Sequence, residues 1–346
     1  MKSSKRTRIS AVVAVLALGL GGGAITVSLL AHDGNANPGT SAPASTATAS
    51  SRTPSATATS TADHGPRPPA TGAWVGAWVK PSVPTQTGRV SAVTGFEHQI
   101  GRPLAVAHTF HKWNDDFPSP ADIQLAQGRV LMISWAGEDT RVIQSGRYDA
   151  LIRARAEAIK AWGVPVLLRF RWEMNRPNLG ALVWSPADYI AAWKHVRAIF
   201  TSVGASNAAW VWCPIATDFD ATNGAAFYPG DDQVDWLCTD VYPGPDYASF
   251  STVAAQFLSF AAGHPTKPII IGEFGAENTQ PTKRSQWISD AAAFVATQPQ
   301  IKAWVYFEAQ SVENGVSRDF TLSGTKGPMQ AFTSMAAEPY FNPPVP

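Results

Sequence analysis

Two apolar segments of this chain each end in a glutamate, and this pattern constrains the fold more than any other feature of the sequence. The run 164–168 leads into the charged and aromatic segment 169–175, which contains Glu173. About a hundred residues later, the run 268–271 leads through one glycine into Glu273. Short apolar runs bounded in this way are typical of buried strands. A buried strand that ends in a carboxylate indicates that the carboxylate belongs to a site.

The rest of the chain beyond residue 72 repeats a unit of one strand and one helix. Eight apolar segments have the length of strands: Val75–Val79, Leu104–Ala107, Val130–Ser134, Val166–Phe170, Ala209–Trp212, Val234–Cys238, Ile269–Ile271 and Ala303–Phe307. Amphipathic helical patterns lie between them, including Tyr148–Trp162, Pro186–Val203, Ala248–Ala262 and Pro281–Ala296. Ser185 is suited to cap the second of these helices, with Pro186 at its first position. Eight such units in roughly 275 residues predict an α/β fold, a (β/α)₈ TIM barrel.

An open doubly wound sheet is the alternative fold. It would require a glycine-rich turn after the first strand, but the segment 79–84 reads Val-Lys-Pro-Ser-Val-Pro. In the barrel, residues just past each strand line one mouth, where the active sites of this fold lie. Strands four and seven lie roughly opposite each other, so we expect Glu173 and Glu273 to point into one cleft.

Strict strand alternation predicts which neighbours share a face with each glutamate. It places Arg169 and Arg171 on the face of Glu173, and Ile269 and Ile271 on the face of Glu273.

The N-terminal region is predicted to be a targeting segment followed by a linker. Four positive residues open the chain (Lys2, Lys5, Arg6 and Arg8), and no further charge occurs before Asp33. The apolar stretch approaches the ~20 residues that span a bilayer, so residues 1–34 are either a cleaved signal peptide or an uncleaved signal-anchor. Residues 35–71 consist largely of Ala, Ser, Thr and Pro, which predicts a disordered linker. We therefore expect residues 72–346 to be an exported catalytic domain, secreted or tethered to the membrane or cell wall.

Composition limits the partners. The formal net charge is +1, which argues against nucleic acid because its binders usually carry a basic excess. Thirteen Trp and seven Tyr weakly favour carbohydrate, since sugar clefts need flat apolar faces with a polar edge.

Cys213 and Cys238 fit either a disulfide or two buried thiols. His108 and His111 could suggest a metal pair, but the other histidines lie elsewhere, so we expect no metal and no cofactor.

Two carboxyl groups across a cleft suit hydrolysis of a glycosidic bond. One must be protonated to give its proton to the leaving oxygen, and the other must be ionised. Glu173, beside Trp172, is the better acid, while Tyr242 or Arg169 can keep Glu273 ionised. A single strand-end glutamate more often serves a structural ion pair. Two of them in a barrel favour catalysis.

The motifs of this chain resemble those of glycoside hydrolase family 26 in order and spacing over nearly the whole of 74–320. The matching segments are Leu-Leu-Arg-Phe-Arg-Trp-Glu-Met-Asn at 167–175, Trp-Val-Trp-Cys-Pro at 210–214, Phe-Tyr-Pro-Gly-Asp-Asp-Gln-Val-Asp-Trp at 227–236, Asp-Val-Tyr at 240–242 and Ile-Gly-Glu-Phe-Gly at 271–275. The resemblance implies a retaining (β/α)₈ hydrolase whose best-known members are endo-β-1,4-mannanases. It implies Glu173 as acid/base, Glu273 as nucleophile, and Asp240 and Tyr242 as supporting residues.

Two departures from the family pattern bear on the substrate. The family usually has His immediately before the acid/base glutamate, where this chain has Trp172. The family also usually has Gly and Trp shortly after this motif, where this chain has Arg-Pro-Asn at 176–178. We expect β-1,4-mannan as substrate, with mixed-linked β-glucan or β-1,3-xylan as alternatives within the family. The alternative from another class is a non-catalytic glycan-binding protein on a degenerate hydrolase scaffold.

Further residues are predicted to bind the polysaccharide. On the last strand we assign Tyr306 and Trp304 to the place where the family usually has a Trp platform. The full predicted set is Arg169, Trp172, Asn175, Asp240, Tyr242, His108, Trp113, Trp135, Trp184, Trp304 and Tyr306. We expect the protein to act as a monomer.

Overall fold

Eight parallel strands form a closed barrel in sequence order, which confirms the predicted (β/α)₈ architecture. The computed structural model describes residues 65–176, 180–217, 219–313 and 315–346. The predicted signal segment 1–34 and the predicted linker up to residue 64 lie outside these ranges. The strands are β1 Trp74–Val79, β2 Val106–His111, β3 Val130–Trp135, β4 Val166–Phe170, β5 Ala208–Trp212, β6 Trp236–Val241, β7 Ile269–Phe274 and β8 Ile301–Glu308. An antiparallel hairpin, β9 Gln310–Glu313 and β10 Val316–Asp319, follows the barrel.

Helices connect the strands around the outside of the barrel. They are α1 Gln86–Ile100, α2 Pro120–Leu125, α3 Thr140–Gln144, α4 Asp149–Trp162, α5 Gly180–Val183, α6 Pro186–Val203, α7 Phe250–Ala261, α8 Pro281–Val295 and α9 Lys326–Ala337. Ser185 caps α6 as predicted, because its hydroxyl oxygen accepts from the backbone N–H of Asp188 at 3.1 Å. Strands β2 and β6 continue past their predicted ends. Their last residues include polar ones such as His108 and Asp240, where a pattern based on apolar residues stops.

The side chains of the strands form two separate cores. Outward-facing residues such as Trp135 and Trp304 pack against the helices, whereas inward-facing residues such as Leu167 and Val305 fill the barrel. The interior of an eight-stranded barrel has room for only a few layers of side chains. The largest aromatic residues therefore concentrate in the outer core.

Strand alternation breaks down near both glutamates: the predicted shared face is wrong for Glu273 and for Arg171, whereas Arg169 and Glu173 do point to the same, inner side of the barrel. On β7, Ile269 and Ile271 belong to the outer core, yet Glu273 points into the barrel. The pairing of β7 with β8 shifts register between Ile271 and Phe274, and this irregularity turns the glutamate inward. At the end of β4, Arg171 and Glu173 have φ angles of 47° and 51°, which redirect the chain. Both glutamates still reach the mouth.

Segments from both ends of the described chain close the bottom of the barrel. Gly65 and Pro66 are buried, and the indole N–H of Trp74 donates to the carbonyl of Pro344 at 3.1 Å. Val345 packs against the inner core. The folded domain therefore includes at least residues 65–71, which the sequence assigned to the linker. Within the described ranges, no helix has both the length and the apolar character needed to cross a bilayer.

A disulfide decides between the two alternatives for the cysteines. Cys213 lies just past β5, and Cys238 lies on the neighbouring strand β6, and their sulfur atoms are bonded. Both side chains lie in the inner core, directly below the mouth.

Candidate active site

Arg169 connects the ends of β4 and β7. It lies inside the barrel with no exposed surface. Its Nη2 donates to Oε1 of Glu273 at 2.5 Å, and its Nη1 donates to both carboxylate oxygens of Asp240 at 2.9 and 3.0 Å. Its Nε donates to the hydroxyl of Ser134 at 2.6 Å. All three guanidinium nitrogens are thus used within the protein, and they fix both carboxylates in place.

The glycine before Glu273 is required by the space that Arg169 occupies. A Cβ atom at Gly272 would lie 2.6 Å from the Cys238 sulfur and 2.8 Å from both Arg169 Nη1 and Asp240 Oδ1. These distances are shorter than real Cβ contacts, so a side chain does not fit there. The sequence Gly-Glu at this strand end therefore follows from the disulfide and the ion pair beneath it.

Glu273 accepts hydrogen bonds at both of its carboxylate oxygens. Arg169 donates to Oε1, and the phenol of Tyr242 donates to Oε2 at 2.7 Å. Burial, and then the charge of Glu273, raise the pKa of Tyr242 well above its usual range, so this phenol keeps its proton. Donors aimed at both oxygens suit an ionised carboxylate.

Glu173 has a different environment. It is 3% exposed, and Arg176 Nη1 donates to its Oε2 at 2.5 Å. Its backbone is held in the left-handed region while its N–H donates to the carbonyl of Cys213 at 2.6 Å. Burial raises the pKa of Glu173; the guanidinium of Arg176 opposes this effect, and the charge of Glu273 adds to it. Glu173 therefore keeps its proton to higher pH than a free glutamate.

Three carboxyl groups converge at this mouth. One oxygen from each of Glu173, Asp240 and Glu273 lies within 4.8 Å of the others. Burial raises the pKa of Asp240 well above its usual range, against the opposing effect of Arg169. The three groups are close enough to share a cation, but Arg169 and Arg176 already donate to them. This arrangement can present one protonated and one ionised carboxyl group to the two atoms of one substrate bond, because like charges this close do not all ionise.

Aromatic rings line the other half of the mouth. The ring centroids of Phe307 and Trp78 lie 4.8 Å apart, those of Trp78 and Phe110 lie 5.0 Å apart, and those of Phe110 and Trp172 lie 5.1 Å apart. Phe307 also packs against Tyr242 at 6.0 Å. The rings of Trp78, Phe110 and Phe307 are partly exposed, so they offer flat apolar surface to a ligand.

Sequence reasoning missed Trp78, Phe110 and Phe307 because it did not establish which residues face inward. The signal was present on β8, where Ala303 and Val305 are small enough for the barrel interior and share the face of Phe307. The bulky Trp304 on the alternate position could then have been assigned to the outer core.

Four predicted sugar-binding residues are core residues, which corrects the prediction. Trp113 and Trp135 stack on each other at 4.4 Å, and Trp304 stacks on Phe274 at 4.2 Å. The hydroxyl of Tyr306 donates to the carbonyl of Phe320 at 2.8 Å and accepts from Arg284. These side chains are buried between the strands and the helices, so their faces are covered by protein.

Three further predicted contacts, Arg169, Asp240 and His108, lie beneath the mouth rather than in it. His108 Nε2 lies 2.6 Å from the hydroxyl of Ser134, and burial followed by the charge of Arg169 lowers its pKa well below the usual range. His111 faces the outer core, where its Nε2 lies 2.9 Å from Asp122. The two histidines therefore do not converge on one metal position.

Asn175 has a structural task, which also corrects its prediction as a sugar contact. Its side-chain amide donates to the carbonyl of Ile215 at 3.1 Å and accepts from the N–H of the same residue at 2.9 Å. Its amide thus joins the loop after β4 to the loop after β5.

Trp184 lies at the rim, in the loop before α6. Half of its surface is exposed, its Nε1 donates to Asp139 at 2.9 Å, and the guanidinium of Arg141 lies 4.5 Å from its ring centre. Of the predicted sugar contacts, Trp184 and Tyr242 keep accessible surface, whereas Trp172 is only 8% exposed.

Comparison with known proteins identifies the family. The profile of Glycosyl hydrolase family 26 matches residues 108–317. The chain belongs to glycosyl hydrolase family 26. This family 26 chain is 32% identical to Endoglucanase H of Acetivibrio thermocellus in an alignment that covers 66% of this chain. The alignment covers only 27% of the relative, so the chain spans about a quarter of its length.

Solved family 26 structures share the barrel. The β-mannanase BoMan26A of Bacteroides ovatus is 16% identical with a TM-score of 0.58, covering 78% of this chain and 90% of its own. A β-mannanase from a symbiotic protist of the termite Reticulitermes speratus, complexed with gluco-manno-oligosaccharide, is 15% identical with a TM-score of 0.55. That match covers 82% of this chain and 97% of the mannanase. At these identities the likeness establishes the fold alone.

Proposed function

We propose that this protein is a retaining endo-β-glycanase in which Glu173 is the acid/base and Glu273 the nucleophile. The closeness of the two carboxyl groups, with oxygens within 4.8 Å of each other, carries this proposal. Retaining glycosidases place their carboxyl groups ~5–5.5 Å apart, whereas inverting enzymes need ~6.5–9.5 Å to admit a water molecule. The short separation supports direct attack by a carboxylate.

The proposed reaction has two displacements. In the first, a Glu273 oxygen attacks the anomeric carbon while Glu173 gives its proton to the departing glycosidic oxygen, so one C–O bond forms as the other breaks. In the second, Glu173 takes a proton from water, whose oxygen attacks the same carbon and releases Glu273. The raised pKa of Glu173 supports its role as the acid. The two donors on Glu273 support an ionised nucleophile.

The identity of the sugar backbone is a finer part of the proposal. The motif resemblance makes β-1,4-mannan the first candidate, and structures named as β-mannanases share the fold. A β-glucan is the second candidate, because the relative at 32% identity is named an endoglucanase. Trp172 also favours this second candidate, because the family motif usually has His at this position, immediately before the acid/base glutamate.

Reducing-sugar release from a panel of polysaccharides tests the proposal. The panel comprises mannan, glucomannan, mixed-linked β-glucan and β-1,3-xylan, and we expect release from at least one of them. Proton NMR of the first product should show retained anomeric configuration. Glu273→Ala should abolish release. Glu277→Ala should not, because it removes a carboxylate in the loop after β7 that pairs with Arg318 of β10.

Two outcomes would contradict the proposal. Undiminished activity of Glu273→Ala would show that Glu273 is not the nucleophile. Binding to a panel member with no release from any would instead favour the non-catalytic glycan-binding protein.

We also propose that residues 1–34 export the domain and that residues 35–64 tether it. The disulfide between Cys213 and Cys238 supports this, because disulfides persist in oxidising compartments outside the cytosol. Fractionation of cells that produce the full chain tests the idea. Recovery of the protein in the cytosol alone would contradict it.

A further inference from the structure

Trp172 covers the arginine that holds the proposed nucleophile. The Arg169 guanidinium carbon lies 5.0 Å from the centre of the Trp172 ring and 5.5 Å from that of Phe110. The two rings lie 5.1 Å from each other, and Trp172 is 8% exposed. Together they close the side of Arg169 that would otherwise face the mouth.

The cover acts on a short, buried ion pair of the site. Arg169 is fully buried and donates to Glu273 at 2.5 Å, so its orientation fixes one carboxylate oxygen of that residue. A guanidinium is attracted to the face of an indole ring, and more strongly when water is excluded. Excluding water also strengthens the attraction between Arg169 and Glu273. Loss of the ring would weaken both restraints.

The chemistry of indole fits this task better than recognition of sugar hydroxyl groups. An indole can donate one hydrogen bond but cannot accept one or titrate, whereas the imidazole that the family motif has at this position can do both. Trp172 is also mostly buried by its neighbours, in contrast to the rim residue Trp184, which is half exposed.

We propose that Trp172 is a positioning residue that acts on Glu273 through Arg169. It is not primarily a platform for the sugar. This inference rests on the proposed role of Glu273 as nucleophile. It predicts that changes at Trp172 slow the attack of Glu273 and leave the affinity for substrate nearly unchanged.

Covalent labelling of the nucleophile separates these two effects. A 2,4-dinitrophenyl 2-deoxy-2-fluoroglycoside carries a good leaving group, so formation of the glycosyl-enzyme needs little help from the acid. The reagent is used in manno-, gluco- and xylo-configuration, and the one that labels wild-type protein is kept. Mass spectrometry of the intact protein and its peptides gives the labelling rate, its saturation constant and the labelled residue.

We expect Trp172→Leu to lower the limiting rate of labelling about thirtyfold, the size of a desolvated cation–π contact. Its saturation constant should change less than twofold. Trp172→Phe keeps an aromatic face and should lose about threefold at most. Trp184→Leu provides a matched control, because Trp184 also covers an arginine, Arg141, but at the exposed rim. It should raise KM for the polymer without changing the labelling rate.

The opposite pattern would overturn the proposal. It would consist of a Trp172→Leu protein that labels at the wild-type limiting rate with a raised saturation constant, as expected for a sugar platform. Equal loss in Trp172→Phe and Trp172→Leu would also overturn it, and the phenylalanine variant keeps the test decisive if the leucine variant folds poorly. Failure of every reagent to label Glu273 in the wild-type protein would count against the proposed function itself.

Discussion

The ends of β4 and β7 each place a buried glutamate at the same mouth, but they hold it in different ways. Glu273 on β7 is held by residues from other strands, Arg169 of β4 and Tyr242 just past β6. Glu173 is held by Arg176, three residues further along its own loop. The barrel framework therefore fixes one carboxylate, whereas a local contact adjusts the other. This difference matches the two roles proposed above, Glu273 as nucleophile and Glu173 as acid/base.

After Glu273→Ala, removal of Glu173 should produce the largest effect and define the role of the β4 end. General acid–base catalysis contributes ~10²–10⁴-fold, so Glu173→Ala should lose up to about 10⁴-fold in kcat/KM on the natural polysaccharide. An aryl glycoside with a dinitrophenolate leaving group needs little protonation and should lose far less in the first step. Steady-state rates on both substrates, with and without azide, provide the measurement. Equal losses on the two substrates would mean that Glu173 is structural and that the two strand ends do not have complementary roles.

Arg169→Met should be next in size, because it removes the residue that joins the two strand ends. It takes a charged donor away from Glu273 and leaves Asp240 without its partner. Loss of one preorganised donor costs ~10²–10³-fold in rate. Breaking a buried ion pair costs about 3–5 kcal/mol in stability. Kinetics at a temperature below unfolding, together with a thermal melt, separate the two effects.

Arg169→Lys is the matched control for this change. It keeps the charge but cannot reproduce the planar fork that reaches Ser134, Asp240 and Glu273 together, so it should fall between wild type and Arg169→Met. If Arg169→Met kept more than about a hundredth of the activity, a threshold taken from the lower end of that donor cost, the β7 carboxylate would not depend on the barrel framework.

The sequence predicted the barrel well and the side-chain directions poorly, for a physical reason. Apolar segments and helix patterns depend on local sequence, so the eight strands and the Ser185 cap could be predicted. The inward turn of Glu273 follows from the register shift between β7 and β8, and the glycine before it is required by the close approach of Arg169, Cys238 and Asp240, all from distant parts of the chain. No local pattern encodes that contact.

The same limit explains the errors among the predicted sugar-binding residues. Trp304 and Phe307 on β8 are both aromatic, so aromatic character alone does not show which of them faces the mouth; the small residues Ala303 and Val305 on the face of Phe307 carry that signal. Asn175 reads as a polar residue of a catalytic motif. Its hydrogen bonds to Ile215 become visible only once the loops are assembled.

Tyr242→Phe should have a smaller effect and tests how much the β7 carboxylate relies on its second donor. The change removes one hydrogen bond to Glu273 Oε2 and keeps the ring that packs on Phe307. A hydrogen bond to a charged group contributes ~1.5–3 kcal/mol, so we expect a loss of about ten- to a hundredfold in kcat/KM. The rate of nucleophile labelling should fall in parallel. A rise in KM alone would show that Tyr242 serves the sugar rather than Glu273.

Arg176→Met should have the smallest effect on the optimal rate but a clear effect on pH dependence. In the free enzyme, kcat/KM declines on the alkaline side as the general acid loses its proton. Arg176 lowers the pKa of Glu173 against the larger effect of burial, so its removal should raise that pKa further. The alkaline limb of the profile should therefore move to higher pH, whereas Arg176→Lys, which keeps the charge, should move it less. A shift to lower pH, or a shift confined to the acidic limb, would show that the local contact at the β4 end does not control the acid. In that case the two strand ends would not differ in the way their hydrogen bonds indicate.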